Sequence, residues 1–244
     1  MTEKILEIEN LSYTYPDGIN ALNNINFNVK MGESLGVIGP NGAGKSTLLL
    51  HINGVLKQNN GRVRVCGIEV NQTNIFEVRK KVGVVFQDPD TQLFMPTVFD
   101  DVAFGPINLG FSTKEVRESV GGALSKVDMS NTENRISHHL SFGEKKRISL
   151  ATVLSMDPDI LVLDEPSSNL DPRHRRELIK LLKASTLTKI IATHDLDLVL
   201  ELCSRVIVLN KGNLAAQGDS DALLKDKDLL ELHGLELPLT IKER

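Results

Sequence analysis

One nonapeptide sets the architecture expected of this chain: Gly39-Pro40-Asn41-Gly42-Ala43-Gly44-Lys45-Ser46-Thr47. It fits the phosphate-loop pattern G-x-x-x-x-G-K-[ST]. The apolar run Ser34–Ile38 precedes it and Leu48-Leu49-Leu50 follows it, which predicts the strand and the helix that such a loop joins. Glycines let the backbone curl until several N–H groups point at one anion, and the helix N-terminus adds its positive end. These nine residues therefore predict a binding site for the phosphates of a nucleoside triphosphate.

Two side chains of this loop have expected roles. Lys45 would neutralise the β- and γ-phosphates, and Ser46 would supply an oxygen to Mg²⁺. A glycine-rich turn without a chemical role is the alternative, and the flanking strand and helix argue against it.

An acidic pair, Asp164 and Glu165, ends the apolar run Ile160-Leu161-Val162-Leu163. The carboxyl ends of parallel strands line the crevice in which a phosphate loop also lies. We therefore expect Asp164 to hold Mg²⁺ through a water molecule, and Glu165 to polarise the water that attacks the γ-phosphate. An ordinary loop start is the alternative for this pair when it is considered without the phosphate loop.

The apolar pattern of the remaining chain predicts an α/β fold. Unalternated apolar runs predict strands buried on both faces of a parallel sheet, and they occur at residues 34–38, 81–86, 159–163 and 189–193. Period-two alternation at 24–30 and 62–65 predicts antiparallel strands with one wet face. Asn210-Lys211-Gly212-Asn213 predicts a hairpin turn after a strand at 205–209. We expect a mixed, mainly parallel sheet with an antiparallel β subdomain.

The pattern changes between residues 89 and 156. Helical periodicity occurs there at 113–127 and 144–156, and no buried strand is predicted. This part is interpreted as a helical insertion in the α/β core. We expect a single domain over residues 1–244, with a core at about 1–88 and 157–220, the helical subdomain at about 89–156 and a C-terminal helix at about 221–234.

Composition argues against several classes of protein. The 244 residues are 41% hydrophobic and 25% charged, which is typical of a globular domain and excludes collagen, coiled coil and disorder. The balance of 28 basic against 32 acidic residues argues against a nucleic-acid binder. Cys66 and Cys203 lie in apolar stretches and are expected to be core residues in a reducing compartment. No signal-peptide pattern or apolar run of the roughly 18 residues needed to span a bilayer is found, so a cytosolic or peripheral protein is expected.

The order of these motifs resembles that of ATP-binding cassette (ABC) ATPases over about residues 3–220. The resemblance implies that Gln87 is the Q-loop glutamine, which contacts Mg²⁺ and the attacking water. It implies that His194 is the switch histidine, acting with Glu165 in hydrolysis, and that Tyr15 stacks on adenine. Local explanations stay open, because Gln87 can be a polar strand cap, His194 can belong to a helix start, and Tyr15 can pack its turn, with Tyr13 as a competing aromatic.

The resemblance also identifies residues that would face a second cassette. Leu140-Ser141-Phe142-Gly143-Glu144 stands at the signature motif, where Ser141 and the Gly143 N–H would contact the γ-phosphate bound by the other subunit. Asp171, in Ser168-Asn169-Leu170-Asp171, matches the D-loop.

The signature departs from the common Leu-Ser-Gly-Gly-Gln, since Phe142 replaces the first glycine and Glu144 the glutamine. Ser141 and Glu144 also fit a capping box, which would turn the carboxylate back onto the helix end. The basic runs at 145–147 and 173–176 are expected to be solvated surface.

Two further segments, 13–18 and 85–94, resemble the ATPase subunits of cobalt/nickel and energy-coupling-factor (ECF) importers. The resemblance implies that Gln92 lines a groove for a membrane subunit. An apolar cluster beside Gln87 is expected to dock a helix of that partner, with plain core of the insertion as the alternative; its members are Leu93, Phe94, Met95, Val98 and Phe99.

The function implied by the resemblance is that of an ATP-hydrolysing, energy-coupling subunit of a membrane importer for cobalt, nickel or a vitamin, with ATP and Mg²⁺ as cofactors. Two cassettes, as a homo- or heterodimer, would pair head to tail at the cytoplasmic face of the cell membrane. Integral membrane subunits would be partners, and nucleic acid would not. A soluble ABC ATPase acting on nucleic acid or ribosomes, and a nucleotide-sensing module with little turnover, are the alternatives.

Overall fold

A computed structural model describes residues 3–242. Its strands are β1 (Lys4–Thr14), β2 (Asn20–Lys30), β3 (Ser34–Ile38), β4 (Asn60–Val65), β5 (Ile68–Glu69), β6 (Val82–Val85), β7 (Ile160–Asp164), β8 (Thr188–Ala192), β9 (Arg205–Asn210) and β10 (Asn213–Asp219). Its α-helices are α1 (Lys45–Ile52), α2 (Ile75–Lys81), α3 (Val98–Asn108), α4 (Thr113–Lys126), α5 (Phe142–Leu154), α6 (Pro172–Ala184), α7 (Leu196–Leu202), α8 (Ser220–Leu223), α9 (Lys227–Leu232) and α10 (Leu239–Lys242).

The central sheet has the order β10-β9-β3-β8-β7-β6. All neighbours are parallel except β10, which pairs antiparallel with β9 through the predicted hairpin. The five parallel strands of this sheet are buried on both faces, whereas the residues of β10 are exposed or half-buried. In β7, for example, Ile160 and Val162 join one core while Leu161 and Leu163 join the other, which explains the unalternated apolar run. The predicted mixed sheet is confirmed, and β3 and β7 end on either side of β8.

A second sheet, β2-β1-β4-β5, is antiparallel throughout, as predicted. In β2, Ile25, Phe27 and Val29 are buried while Asn24 and Asn26 are exposed, so one face is wet. The buried face shares a core with α1 and one side of the central sheet. The phosphate loop at the start of α1 is therefore held between two sheets.

Residues 89–156 contain α3, α4, α5 and two 3-10 turns, without a strand. Helix α5 packs against α3, α4 and β6. Neither α2 nor α3 was expected from the pattern. Pro106 lies inside α3 and interrupts its helical signal, although Thr97 caps its start by accepting from the Asp100 N–H.

The C-terminal segment differs from the single helix expected at about 221–234. It forms two short helices, α8 and α9, because Asp226 caps a new start by accepting from the Leu229 N–H. Cys203 is buried as expected, whereas Cys66 is half-buried in the turn between β4 and β5. Within residues 3–242, no helix combines the length and the apolar character needed to cross a bilayer.

A candidate nucleotide-binding and catalytic site

The phosphate loop joins β3 to α1 in a conformation that two of its glycines make possible. Gly39 and Gly44 have φ angles of 153° and 103°. A Cβ at Gly39 would overlap the Leu209 carbonyl oxygen, and one at Gly44 would lie 2.5 Å from that of Ala21. Gly44 is also the N-cap of α1 and offers no side chain to the N–H groups of the first turn. The helix end therefore presents its donors to an anion.

Lys45 is buried beneath this loop. Its Nζ donates to the carbonyl oxygens of Gly39 and Pro40 at 2.8 and 3.2 Å. Burial lowers the pKa of Lys45, and the nearby carboxylates of Glu165 and Asp164 oppose that shift. The ammonium group thus lies where phosphates cradled by the loop would receive its charge.

A depression of about 430 Å³ opens over the loop. Its lining brings together most of the predicted site residues, namely Tyr15, Asn41, Gly42, Ala43, Gly44, Lys45, Ser46, Thr47, Gln87, Glu165 and His194, with Ile19, Asn20 and Ala21 beside them. Ser141, Gly143 and Asp171 are not part of this lining within the described chain.

Of the two tyrosines, Tyr15 is the one that reaches this depression. Its hydroxyl lies 3.0 Å from the Thr47 hydroxyl. Tyr13 is buried and makes edge contacts with Tyr15 and His51, at centroid distances of 4.9 and 4.7 Å. Tyr13 is therefore a core residue that supports Tyr15 from behind.

Asp164 and Ser46 fit a magnesium ion. Oδ1 of Asp164 is buried without a hydrogen-bond partner among the described residues. Burial raises the pKa of Asp164, while a hydrogen bond from Ser46 lowers it. No group of three His, Cys, Asp or Glu in residues 3–242 could hold a metal alone. Mg²⁺ in nucleotide enzymes typically binds one or two protein groups plus the substrate phosphates, which matches this pair.

Glu165 lies directly after β7 in a left-handed backbone conformation, with φ of 44°, and only 7% of its surface is exposed. Its Oε2 accepts from the Thr193 hydroxyl at 2.9 Å and lies 2.8 Å from His194 Nδ1. Because a carboxylate only accepts, Nδ1 carries the proton in this contact. A non-glycine residue held at positive φ indicates a side chain aimed by its surroundings. The geometry suits a carboxylate that orients a water molecule.

Gln87 follows β6 and is exposed on the edge of the depression. The backbone before it is anchored by Gln92, whose Oε1 accepts from the Phe86 N–H at 3.1 Å. The Gln92 amide also donates to α5, at the Ser149 carbonyl and the Thr152 hydroxyl, both at 2.8 Å. Gln92 therefore connects the segment at Phe86 and Gln87, called the Q-loop, to α5, the helix that begins in the signature motif and is called the signature helix.

The signature segment forms the predicted capping box. Oε2 of Glu144 accepts from the Ser141 N–H and hydroxyl at 2.8 and 2.9 Å. Its other oxygen, Oε1, lies 2.7 Å from an Arg135 guanidinium nitrogen. The Arg135 hydrogen bond is the main cause that lowers the pKa of Glu144 to about 2. The acid that replaces the common glutamine is thus ionised, paired and turned back onto its helix.

His174 contacts both Gly143 and Asp171 and so connects the two residues. A Cβ at Gly143 would lie 2.5 Å from His174 Cδ2, so this contact needs a glycine. Asp171 caps α6 by accepting from the N–H groups of Arg173 and His174, and it also accepts from His174 Nδ1 at 2.6 Å. Signature and D-loop residues therefore share one surface outside the nucleotide depression.

The expectation that both basic runs are solvated is wrong for several members. Lys146 is 3% exposed, because the helical period places it on the face of α5 that also buries Leu150 and Val153. Lys145 is paired with Asp90 at 2.7 Å, and Arg175 makes a bidentate pair with Asp195. The spacing of Lys146 relative to the apolar residues of α5 was the signal that would have revealed its burial.

The apolar cluster predicted as a docking surface is divided by the structure. Leu93 and Val98 are fully buried, so the core alternative is correct for them. Phe94 is 57% exposed and makes an edge contact with Phe104, which is 46% exposed. These two rings and the exposed Phe76 line a groove of about 520 Å³ between α2, α3 and α5 that Gln92 also lines. We call this the aromatic groove.

Comparison with known proteins places these features in a family context. The sequence profile of the family described as "ABC transporter" matches residues 22–168. The protein named "Energy-coupling factor transporter ATP-binding protein EcfA" from Carboxydothermus hydrogenoformans is 50% identical over 240 residues, covering 97% of this chain and 88% of that protein.

Two solved structures have the same fold. CbiO1 from Clostridium perfringens, described as part of the ABC transporter complex CbiONQ, is 40% identical and superposes with a TM-score of 0.83 over 94% of both chains. The ATP-binding cassette MJ0796, solved as a dimer in a post-hydrolysis state with ADP and Pi, is 28% identical, with a TM-score of 0.79 over 88% of this chain and 98% of that one.

Proposed function

Because this chain belongs to the ABC transporter family and is an ATP-binding, ATP-hydrolysing cassette, we propose that it is the energy-coupling subunit of an ECF-type membrane importer. The observation that carries this proposal is the aromatic groove. Exposed phenylalanine side chains lie there next to Gln92, which is hydrogen-bonded both to the Q-loop and to the signature helix. A helix of an integral membrane subunit inserted into this groove would be linked by one side chain to the catalytic elements.

At the nucleotide, the phosphate loop and Lys45 bind the phosphates, Tyr15 supports the adenine, and Glu165 with His194 orients the attacking water. Ser46, Asp164 and Gln87 would hold Mg²⁺, which when bound supplies positive charge to the phosphate oxygens. Thr193 and His194 fix Oε2 of Glu165, so the carboxylate is oriented before water arrives.

A second cassette would complete the site. Ser141 and Asp171 are exposed on the surface that carries Gly143, and none of the three lines the depression of their own chain. Head-to-tail pairing would bring this surface over the nucleotide of the partner. The relative MJ0796 was solved as a dimer, which supports pairing for this chain. We place the pair at the cytoplasmic face of the membrane, with cobalt, nickel or a vitamin as candidate cargo.

Copurification tests the proposed function. Tagged Glu165→Gln protein is expressed in its native host and purified from detergent-solubilised membranes with ATP. A stoichiometric integral membrane protein is expected. Phe94→Glu should abolish its recovery, because the charge enters the aromatic groove, whereas Phe111→Glu changes an exposed phenylalanine outside that groove and should not. Recovery of ribosomes or of soluble protein alone under several detergents would contradict the importer and favour a soluble ABC ATPase.

The ion pair between Arg135 and Glu144 can be tested by a double-mutant cycle. Arg135→Ala would leave the Glu144 carboxylate unpaired where the γ-phosphate of the partner's nucleotide approaches. Since like charges repel across an interface, we expect kcat/KM for ATP to fall by roughly 3- to 10-fold, about 0.7–1.4 kcal/mol. Glu144→Gln should restore the rate in the double variant, because the amide oxygen still caps the helix without its charge.

The control for this cycle is Arg173→Ala, which breaks an exposed pair with Glu177 at 3.0 Å and should change little. Steady-state ATPase assays at several protein concentrations measure all four rates. A double variant as slow as Arg135→Ala alone would show that Arg135 acts through packing and not through charge.

A further inference from the structure

We propose that Lys146 is a positioning residue for hydrolysis, whose ammonium group holds the Q-loop and the backbone of Glu165 in register with the signature helix. Nothing in the roles described above uses this side chain. The inference rests on the roles proposed for Gln87 and Glu165, and it does not depend on a membrane partner.

The geometry of Lys146 is that of a bridge. From the first half of α5, its Nζ donates to the Gln87 carbonyl at 2.5 Å and to the Glu165 carbonyl at 3.4 Å. Gln87 lies two residues after the end of β6 and Glu165 directly after β7, and these strands are parallel neighbours in the central sheet. One ammonium group therefore ties the ends of two active-site strands to a helix of the inserted subdomain.

The bridge has a cost in stability. Lys146 is 3% exposed, and burial lowers its pKa to about 8, although Asp88, Asp164 and Glu165 all lie near enough to oppose that shift. Its hydrogen-bond acceptors in the described chain are backbone carbonyls, and no carboxylate forms a direct ion pair with it. An apolar side chain of similar length would avoid this desolvation. A buried charge at such a position is expected where it serves the site rather than the fold.

Two side chains, that of Gln92 and that of Lys146 in α5, form hydrogen bonds with consecutive residues of the Q-loop. Gln92 binds the Phe86 N–H and α5, and Lys146 binds the Gln87 carbonyl. A rotation of α5 would therefore carry Gln87 with it, and through Lys146 the Glu165 backbone as well. ATP binding at the phosphate loop needs neither contact, whereas alignment of the attacking water needs both.

Lys146→Met tests the inference, because methionine keeps the length of the side chain and removes its charge. We expect kcat to fall at least about tenfold, with the affinity for ATP within twofold of wild type and Tm unchanged or higher. Lys146→Arg keeps a cationic donor and should recover part of the lost rate. The readouts are phosphate release at saturating ATP, a nucleotide titration and thermal unfolding.

Lys189→Met is the matched control. Lys189 is 5% exposed, and among residues 3–242 its Nζ donates only to the backbone carbonyls of Ser185 and Leu187, away from the site, so its loss should leave kcat unchanged. A Lys146→Met protein with wild-type kcat, or one whose activity and Tm fall together, would overturn the inference. Failure of the copurification above would leave this ATPase comparison unaffected, so the two proposals fail separately.

Discussion

Glu165→Gln protein is expected to bind ATP with near wild-type affinity and to hydrolyse it at least about 100-fold more slowly, since loss of a general base typically costs 10²–10⁴-fold. Glutamine has the same shape and can still accept from the Thr193 hydroxyl, which lies 2.9 Å from Oε2. It cannot take a proton from water. The substitution therefore keeps the position of the side chain and removes only its ability to act as a base.

The measurement is phosphate release at saturating ATP, with a separate titration of nucleotide binding. Glu201→Gln is a suitable control, because Glu201 is a half-exposed carboxylate of α7 paired with Arg175 and Lys183, outside the nucleotide depression. Its turnover should match wild type. A Glu165→Gln enzyme within threefold of the wild-type rate would contradict the role of Glu165 as the base.

The catalytic part of the site is predictable from sequence because each of its parts is contiguous. A phosphate loop consists of nine successive residues, and the acidic pair ends a single strand. Their convergence follows from topology, since β3, β8 and β7 are parallel neighbours whose carboxyl ends share one edge. The roles of the side chains remain predictions, whereas the meeting of Glu165 with residues 41–47 of the phosphate loop at one depression is observed.

Burial of charged side chains is the part that local sequence does not predict. Lys146 lies in a run of basic residues that predicts a solvated side chain. Its burial follows from the helical period of α5 and from two backbone carbonyls, distant in sequence, that accept hydrogen bonds from its ammonium group. Arg135 offers no signal of its own, because its partner Glu144 lies nine residues along the chain across a turn. Such pairs depend on tertiary geometry, so the hydrophobic periodicity of the sequence does not predict them.

The aromatic groove shows the same limitation for apolar residues. Phe76, Phe94 and Phe104 come from α2, the loop after the Q-loop, and α3, so no single window of sequence contains the surface. The sequence predicted a docking surface from one nearly contiguous apolar segment. The structure divides this segment, because Leu93 is buried and Phe94 is exposed. Alternation of burial within an irregular segment depends on how its backbone turns, which Asp101 decides here by accepting from the Phe94 and Met95 N–H groups.

Lys45→Ala is expected to weaken ATP binding by roughly 2–5 kcal/mol, at least about 30-fold, which is the usual loss when one partner of a buried charged contact is removed. The Lys45 ammonium is buried under the loop and is the cation nearest to where the phosphates bind. Its removal also takes away one of the two ammonium groups near the Asp164 and Glu165 carboxylates, and the other belongs to Lys146. Anion binding is then disfavoured by the reduced compensation of these two negative charges as well as by the missing contact.

Two observations separate this effect from loss of the fold. Lys45→Ala removes the hydrogen bonds from Nζ to the Gly39 and Pro40 carbonyls, but it leaves the close packing of Gly39 against Leu209 and of Gly44 against Ala21 in place, so Tm should stay within a few degrees of wild type. Lys45→Arg retains the charge but not the compact ammonium, and it should bind ATP with intermediate affinity. Titration with a fluorescent nucleotide measures all three proteins. Affinity within threefold of wild type in Lys45→Ala would contradict the phosphate-binding role, because a neutral loop would then suffice to hold the triphosphate against two neighbouring carboxylates.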